Sequence, residues 1–377
     1  MSETTHKGHA KEPFIRISKR GDEMPAWKAW GIRVIGLILA LIASAVVIYA
    51  IVKLNPLKVY VSMWQGAFGT SKRTWVTVRD TMTLLCIACA LAPAFAMRFW
   101  NVGAEGQVLV GGIATAACMI YFKSLPLPLL FLVMIIASIV AGGIWGLIPG
   151  FFKARWNTNE TLFTLMMNYI AIQLTAFFVA TWENPKGSNS VGVINRQTKV
   201  GWLPNFFSEG YNTDFGWNVV IVLLVATLVF IYLRQTKHGY EISVVGDSEN
   251  TARYAGIRVK RVYIRTMALS GAIAGLAGFL AVSGASHTIS TQTAGGRGFT
   301  AIIVAWLSRM NTYVMLVFAA LIVFLDKGAT EIASSFGLNE YVSQIISGII
   351  LFFVLGSEFF VNYRVKFRGA KTGGADK

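Results

Sequence analysis

Charge is scarce in this chain. Only 14% of its 377 residues are Asp, Glu, Lys or Arg, where a soluble domain carries about 25%. The few charges gather in the first thirty residues, in one central segment and in the C-terminal tail, with long apolar runs between them. Hydrophobic residues make up 55% of the sequence, which excludes a soluble globular protein. There are three cysteines. Cys86 and Cys89 form a Cys-x-x-Cys inside the apolar stretch LLCIACALA. No second Cys or His pair completes a zinc site, so the pair reads as small packing residues at helical spacing, with a redox or zinc site as the alternative on spacing alone. The four histidines (His6, His9, His238, His287) lie outside the strongest apolar runs. No G-x-x-x-x-G-K-[ST] loop is present to cradle ATP, and neither H-E-x-x-H nor G-x-S-x-G occurs. This leaves an enzyme without machinery. Acids near the apolar runs are few: Asp80, Glu105 and Asp326, each by a predicted span end or break. Ion-coupled transporters hold such groups within the membrane, so the shortage suits a neutral polar solute with energy supplied elsewhere.

What is abundant is apolar sequence of membrane-crossing length. A hydrocarbon core about 30 Å thick needs roughly 20 apolar residues per helical pass. The sequence predicts spans near 31–52, 81–98, 107–122, 126–150, 161–182, 217–233, 266–284, 312–327 and 341–360. A tenth segment at 285–310 joins a glycine-rich loop, TAGGRGFT, to a run, AIIVAWL, that is too short for an ordinary crossing. Non-helical backbone at that depth must line a cavity or be covered by protein, so a broken or re-entrant helix is expected there. Gly271 and Gly275 make a small-xxx-small pattern that lets helix backbones approach; general packing is the reading preferred for them.

The net charge is +16. No basic stripe is interleaved with base-stacking aromatics, so nucleic acid is not an expected partner. Lys and Arg collect in cytoplasmic loops and favour anionic lipid. The basic N-terminus, with Lys7, Lys11, Arg16, Lys19, Arg20 and Lys28, is therefore placed in the cytoplasm. Ten crossings then put inside the turn carrying Lys153 and Arg155, the segment 234–265 and the tail with Arg364, Lys366 and Arg368. The long polar loop 183–216 falls outside. One connector disagrees: 53–80 would be outside yet holds Lys53, Lys58, Lys72, Arg73 and Arg79. Trp30, Trp100, Trp156, Trp182 and Trp217 sit where interfacial belts are expected. The organisation expected is a cytoplasmic N-terminal extension (1–30), an all-α transmembrane domain (31–360) of about ten helices enclosing the cytoplasmic segment 234–265, and a cytoplasmic tail (361–377).

The segment FWNVGAEGQVLVGGIATA (99–116) interrupts two apolar runs with Asn101, Gly103, Glu105, Gly106 and Gln107. Glycine permits a break in the helix. The polar side chains either face a pathway or cap a tight turn.

This segment strongly resembles the N-[IV]-G-x-E-G-Q signature of permease subunits in bacterial ABC importers, in the branch handling nucleosides and simple sugars, related to the branched-chain amino acid and ribose permeases. NYIAIQL (168–174) falls at the place the resemblance predicts. GDSENTARYAGIRVKR (246–261) looks like the family's cytoplasmic loop, with Thr251 where Ala is usual. GRGFTAIIVAWLSRMN (296–311) resembles its G-x-G-[FY] segment, with Ala301 and Ser308 replacing usual glycines. The likeness covers roughly residues 30–360. It implies an importer permease of the type II-like fold in a bacterial inner membrane, with both termini cytoplasmic. It also implies alternating access, a separate ABC ATPase that uses the ATP, a solute-binding protein outside and a second, often non-identical, permease chain. No cofactor is expected in this chain. Under this resemblance the pathway candidates are Asn101, Glu105 and Gln107, then Asn168, Gly298 and Phe299. The ATPase-coupling candidates are Gly246, Asn250, Ala252, Tyr254, Ala255, Gly256 and Ile257, on a helix-compatible stretch with Asn250 as its cap. The alternatives are the same architecture carrying a branched-chain amino acid, and a stand-alone secondary transporter. The latter should show repeat halves, and none is evident.

Overall fold

A computed structural model describes residues 15–19, 24–204 and 215–367. Much of the expected N-terminal extension, residues 205–214 of the long loop, and the tail from Arg368 lie outside the described residues. The helices, in chain order, are α1 (Ala26–Val47), α2 (Pro56–Phe68), α3 (Ser71–Ala96), α4 (Ala104–Tyr121), α5 (Leu127–Trp156), α6 (Glu160–Trp182), α7 (Gly216–Gln235), α8 (Lys237–Asp247), α9 (Glu249–Tyr254), α10 (Val259–Ala281), α11 (Arg297–Leu307), α12 (Thr312–Phe336) and α13 (Glu340–Asn362). Single π turns extend α1 (Ile48–Val52) and α10 (Val282–Ser286). Among the described residues, nine helices are long and apolar enough to span a membrane, and α11 is a shorter apolar helix. The protein is thus an all-α polytopic membrane protein, with the short tenth segment where the sequence placed it. Two five-residue strands, β1 (Ile15–Lys19) and β2 (Tyr363–Phe367), are its only described sheet.

Several boundaries differ from the sequence reading: α10 begins at Val259 rather than near 266, within the segment expected to be cytoplasmic, and α12 runs to Phe336 rather than near 327. The second span begins at Ser71, not near residue 81. Thr70 caps it, its hydroxyl accepting the Arg73 N–H at 3.2 Å. Lys72, Arg73, Arg79 and Asp80 had marked these turns as connector, yet Asp80 is only 2% exposed and is neutralised by its neighbours. Arg79 is paired with Asp80, but Lys53, Lys58, Lys72 and Arg73 remain in this connector, so the conflict with the positive-inside pattern stands. The remainder of that connector is α2.

The chain divides into two compact units. In the unit of Met1–Ser62 and Ala329–Lys377, α1 packs along α13. Arg33 Nε meets Glu358 Oε1 at 2.5 Å. β1 pairs antiparallel with β2, Ile15 opposite Phe367 and Lys19 opposite Tyr363. The first and last described segments of the chain thus pair.

In the unit of Met63–Gly328, α3, α4 and α10 form the buried centre. α5 meets α10 backbone to backbone. A Cβ on Gly146 of α5 would stand 2.5 Å from the Met267 carbonyl and 2.9 Å from the Gly271 Cα. The Gly271/Gly275 pattern is this seam, met by Gly142 and Gly146. Such close packing is how helices associate where lipid removes the hydrophobic drive. The opposite face of α5 exposes Leu132, Ile136, Val140 and Ile144 at four-residue spacing, an apolar stripe suited to hydrocarbon. The described part of the long loop is pinned to the end of α10. Ser283 Oγ donates to the Gly201 carbonyl at 2.6 Å, and the Trp202 ring stacks on His287 with centroids 3.8 Å apart.

Candidate translocation site

The site is built from two helix interruptions. The first follows α3. Arg98 takes a left-handed φ of 58°, and the chain then runs without helix until α4 opens at Ala104. Backbone groups in such a stretch must find partners inside the protein, and the polar side chains flagged in the sequence supply them. Asn168 on α6 accepts the Gly106 N–H at 2.9 Å and donates to the Val102 carbonyl at 2.8 Å. Asn101 accepts the Gly103 N–H and donates to Ser270 Oγ, both at 3.0 Å. Its amide also faces that of Gln107 at 3.3 Å. Thr164 completes the set by accepting the Val102 N–H at 3.1 Å. Thr164 and Ser270 were missed in the sequence, where the available signal was a lone hydroxyl residue inside an apolar run.

The second interruption precedes α11. Gly296 sits at φ 74° and the new helix presents its free N–H groups. Glu105, in the first turn of α4, takes two of them: Oε1 accepts from Gly296 at 2.7 Å and Oε2 from Gly298 at 2.8 Å. Two helix N-termini thus converge on one carboxylate, where their dipoles favour negative charge. Gly298 must be glycine for this approach, since a Cβ would lie 2.5 Å from the Glu105 nitrogen. Phe299, next along α11, is 44% exposed and takes no part in the junction.

Asp80 grips the same helix from α3. Its carboxylate meets Lys327 Nζ of α12 at 2.6 Å, Arg79 at 2.8 Å and Arg297 of α11 at 3.2 Å. A buried carboxylate survives only when paired, and here three cations surround it. The sequence flagged Asp80 but not these partners, because Arg297 and Lys327 lie far along the chain. Each of the three buried acids among the described residues, Asp80, Glu105 and Glu358, is therefore held by a protein partner.

The coupling candidates divide into a buried half and an exposed half. A Cβ on Gly246 would run into the Ala96 carbonyl, so α8 lies directly against the end of α3. Ala252 and Ile257 pack with Met97, Phe99, Ile242 and Tyr263. Asn250, Tyr254, Ala255 and Gly256 face outward, with Tyr254 94% exposed. Gly256, at φ 75° with no neighbour a Cβ would meet, ends the helix. Asn250 is not the cap. Ser248 is, because its backbone is extended (φ −160°, ψ 120°) and its hydroxyl accepts the Thr251 N–H at 3.3 Å; Asn250 already lies inside α9. Tyr263 O–H donates to Glu249 at 2.5 Å and ties α9 to α10. Cys86 and Cys89 are buried in α3, and among the described residues no cluster of three His, Cys, Asp or Glu could hold a metal.

Residues 76–355, from the second turn of α3 into α13, match the family described as branched-chain amino acid transport system / permease component. The chain belongs to this permease family. It is 32% identical to the guanosine ABC transporter permease protein of Bacillus subtilis, over 82% of this chain and 89% of that protein. It is 28% identical to the glucose ABC transporter permease protein of Haloferax volcanii, over 91% of each. With the nucleoside ABC transporter permease protein of Lactococcus lactis it shares 26% identity, over 80% of this chain and 84% of that one. The chain is therefore a membrane-spanning permease subunit of an ABC importer. It is not itself an enzyme, because ATP is hydrolysed on a separate subunit of such importers.

Proposed function

We propose that this permease carries a nucleoside across the cytoplasmic membrane of a bacterium by alternating access. A simple sugar is the second reading, which the glucose permease relative favours, and a branched-chain amino acid the third, on the breadth of the family. The choice of a nucleoside rests on the guanosine and nucleoside permease relatives, and the observation that carries the ATP-driven import of a neutral solute is the pairing of every described buried acid. A coupling-ion site must load and unload, whereas Asp80, Glu105 and Glu358 are each fixed by protein donors or cations. That argues for a neutral solute driven by ATP elsewhere, and against a stand-alone secondary transporter.

The partners proposed are an ABC ATPase that docks against the exposed half of 249–257, a solute-binding protein outside, and a second permease chain. Bacillus subtilis has two guanosine permease proteins similar to this chain, which favours a non-identical pair. The chain needs no cofactor of its own in this reading. Asn101, Glu105, Gln107, Asn168 and Gly298 are proposed to shape the pathway wall by fixing both helix breaks, and Phe299 to face the solute. Both termini are proposed to be cytoplasmic. The β1–β2 pair supports their sharing one side, as an even number of passes such as nine long helices with α11 would give, and the Lys and Arg near both ends favour the cytoplasmic side.

The test is uptake by the reconstituted complex in proteoliposomes. Guanosine uptake that needs ATP and the binding protein supports the reading. Uptake by this chain alone under an ion gradient, without ATP, sinks it.

A further inference from the structure

One face of α11 is left uncovered, and it is aromatic. Phe299 is 44% exposed, Ile303 38% and Trp306 49%. They stand at i, i+4 and i+7, a single helix face about 10 Å long. The other face, with Gly298, Ala301, Val304 and Ala305, is buried. At the far end of the stripe, Trp306 stacks on Trp100 with centroids 5.1 Å apart and planes at 21°. The buried Phe95 backs both rings, at 6.0 and 6.1 Å. The indole N–H groups of Trp182 and Trp202 are hydrogen-bonded, but among the described residues those of Trp100 and Trp306 are not.

Lipid is the wrong neighbour for this stripe. α11 starts from exposed, non-helical Gly295 and Gly296, and backbone of that kind is tolerated at membrane depth only under protein or beside a water-filled passage. In a passage, the exposed parts of these rings, with indole N–H groups that no described residue accepts, suit a flat heterocycle. Any base has a π face to stack on, and its ring nitrogens and carbonyls accept from an indole. A sugar needs several convergent polar groups for its hydroxyls, whereas among the described residues the stripe of Phe299, Ile303 and Trp306 carries one polar group, the Trp306 indole, with the Trp100 indole stacked beside it.

Resting on the nucleoside reading above, we propose that Phe299, Trp306 and Trp100 form the track over which the planar base of a nucleoside passes, and that this track makes the pathway favour nucleosides over sugars.

The experiment uses the complete transporter in proteoliposomes, with radiolabelled guanosine and D-glucose as probes. If the wild-type complex takes up glucose but not guanosine, the nucleoside reading itself fails and the track falls with it. If the wild type takes up guanosine, the variants decide. Losing one stacked ring should cost Trp306→Ala about tenfold or more in guanosine uptake, while Trp306→Phe keeps most of it, with ATPase stimulation by loaded binding protein retained in both. Guanosine uptake at the wild-type rate in Trp306→Ala overturns the proposal. Should that variant fail to assemble, azido-guanosine photolabelling of the wild-type complex decides: label on the 297–307 peptide supports the track, and label only elsewhere overturns it. A photocrosslinker at Ile303 that captures the second permease chain, with guanosine offering no protection, also overturns it, because the stripe would then be a subunit interface.

Discussion

Glu105 Oε2 lies 2.8 Å from the N–H of Gly298, and the other oxygen of the same carboxylate takes the N–H of Gly296. One side chain at the start of α4 thus serves as the N-terminal cap of α11. Glu105→Gln keeps the shape but turns an NH2 toward one of these donors. A buried donor left unsatisfied costs about 1–3 kcal/mol. The expected result is a lower melting temperature of the solubilised complex and impaired uptake, with membrane abundance unchanged. Melting and uptake equal to wild type would show that the carboxylate does not hold α11.

Asp80 stands at the centre of an ion cluster whose members come from α3, α11 and α12. Removing the acid leaves Arg79, Arg297 and Lys327 facing one another. Breaking a buried pair on one side costs about 3–5 kcal/mol, so Asp80→Asn should yield little assembled protein. Lys327→Met should be milder, because two cations still neutralise the acid. The double variant should recover part of the loss by removing one uncompensated charge. Yield and thermal stability of the purified complex measure all three, and a double variant worse than the sum of the singles would refute the cluster as drawn.

Much of this was legible in the sequence, and the reasons differ by residue. Spans such as α5 and α10 follow from apolar length, and the breaks at 99–107 and 296–298 from glycine among polar residues. Of the candidates named there, Asn101 and Asn168 brace the first break and Glu105 joins it to Gly298 at the second, where it binds backbone of α11 rather than standing open. The first turns of α3 differ from the sequence reading because hydropathy counts Arg79 and Asp80 as exposed charges, whereas Asp80 is buried among Arg79, Arg297 and Lys327, the last two of which only the tertiary fold delivers. Asn250 was misjudged as a cap because Ser248, two residues earlier, has equal claim on composition, and the backbone angles decide between them.

The coupling segment can be tested by separating its two faces. Tyr254→Ala removes a side chain that is 94% exposed and should leave stability within about 0.5 kcal/mol of wild type. If Tyr254 contacts the ATPase, the same variant lowers binding-protein-stimulated ATP hydrolysis and uptake together. Gly246→Val should act differently, because its side chain has no room beside the Ala96 carbonyl; it should disturb the end of α3 and lower thermal stability. Gly256→Val meets no neighbour but strains a left-handed backbone, so it should uncouple hydrolysis from uptake without preventing assembly. Unchanged stimulation in both Tyr254→Ala and Gly256→Val would remove the exposed face from the coupling surface.

The pairing of β1 with β2 makes a prediction about sidedness. If Ile15 lies opposite Phe367, tags at the two ends share a compartment, and with ten passes the loop at 183–204 lies across the membrane from them. Ser188 is exposed, so Ser188→Cys should react with a membrane-impermeant maleimide added to intact spheroplasts. The native thiols at Cys86, Cys89 and Cys118 are buried and form no disulfide, which keeps the background low. Both tags should resist protease in those spheroplasts and be cut in inverted vesicles. One tag cut and one protected would rule out the strand pair and the even number of passes; both cut from outside would keep the pair but invert the protein, placing α8 and α9 where no cytoplasmic ATPase could reach them.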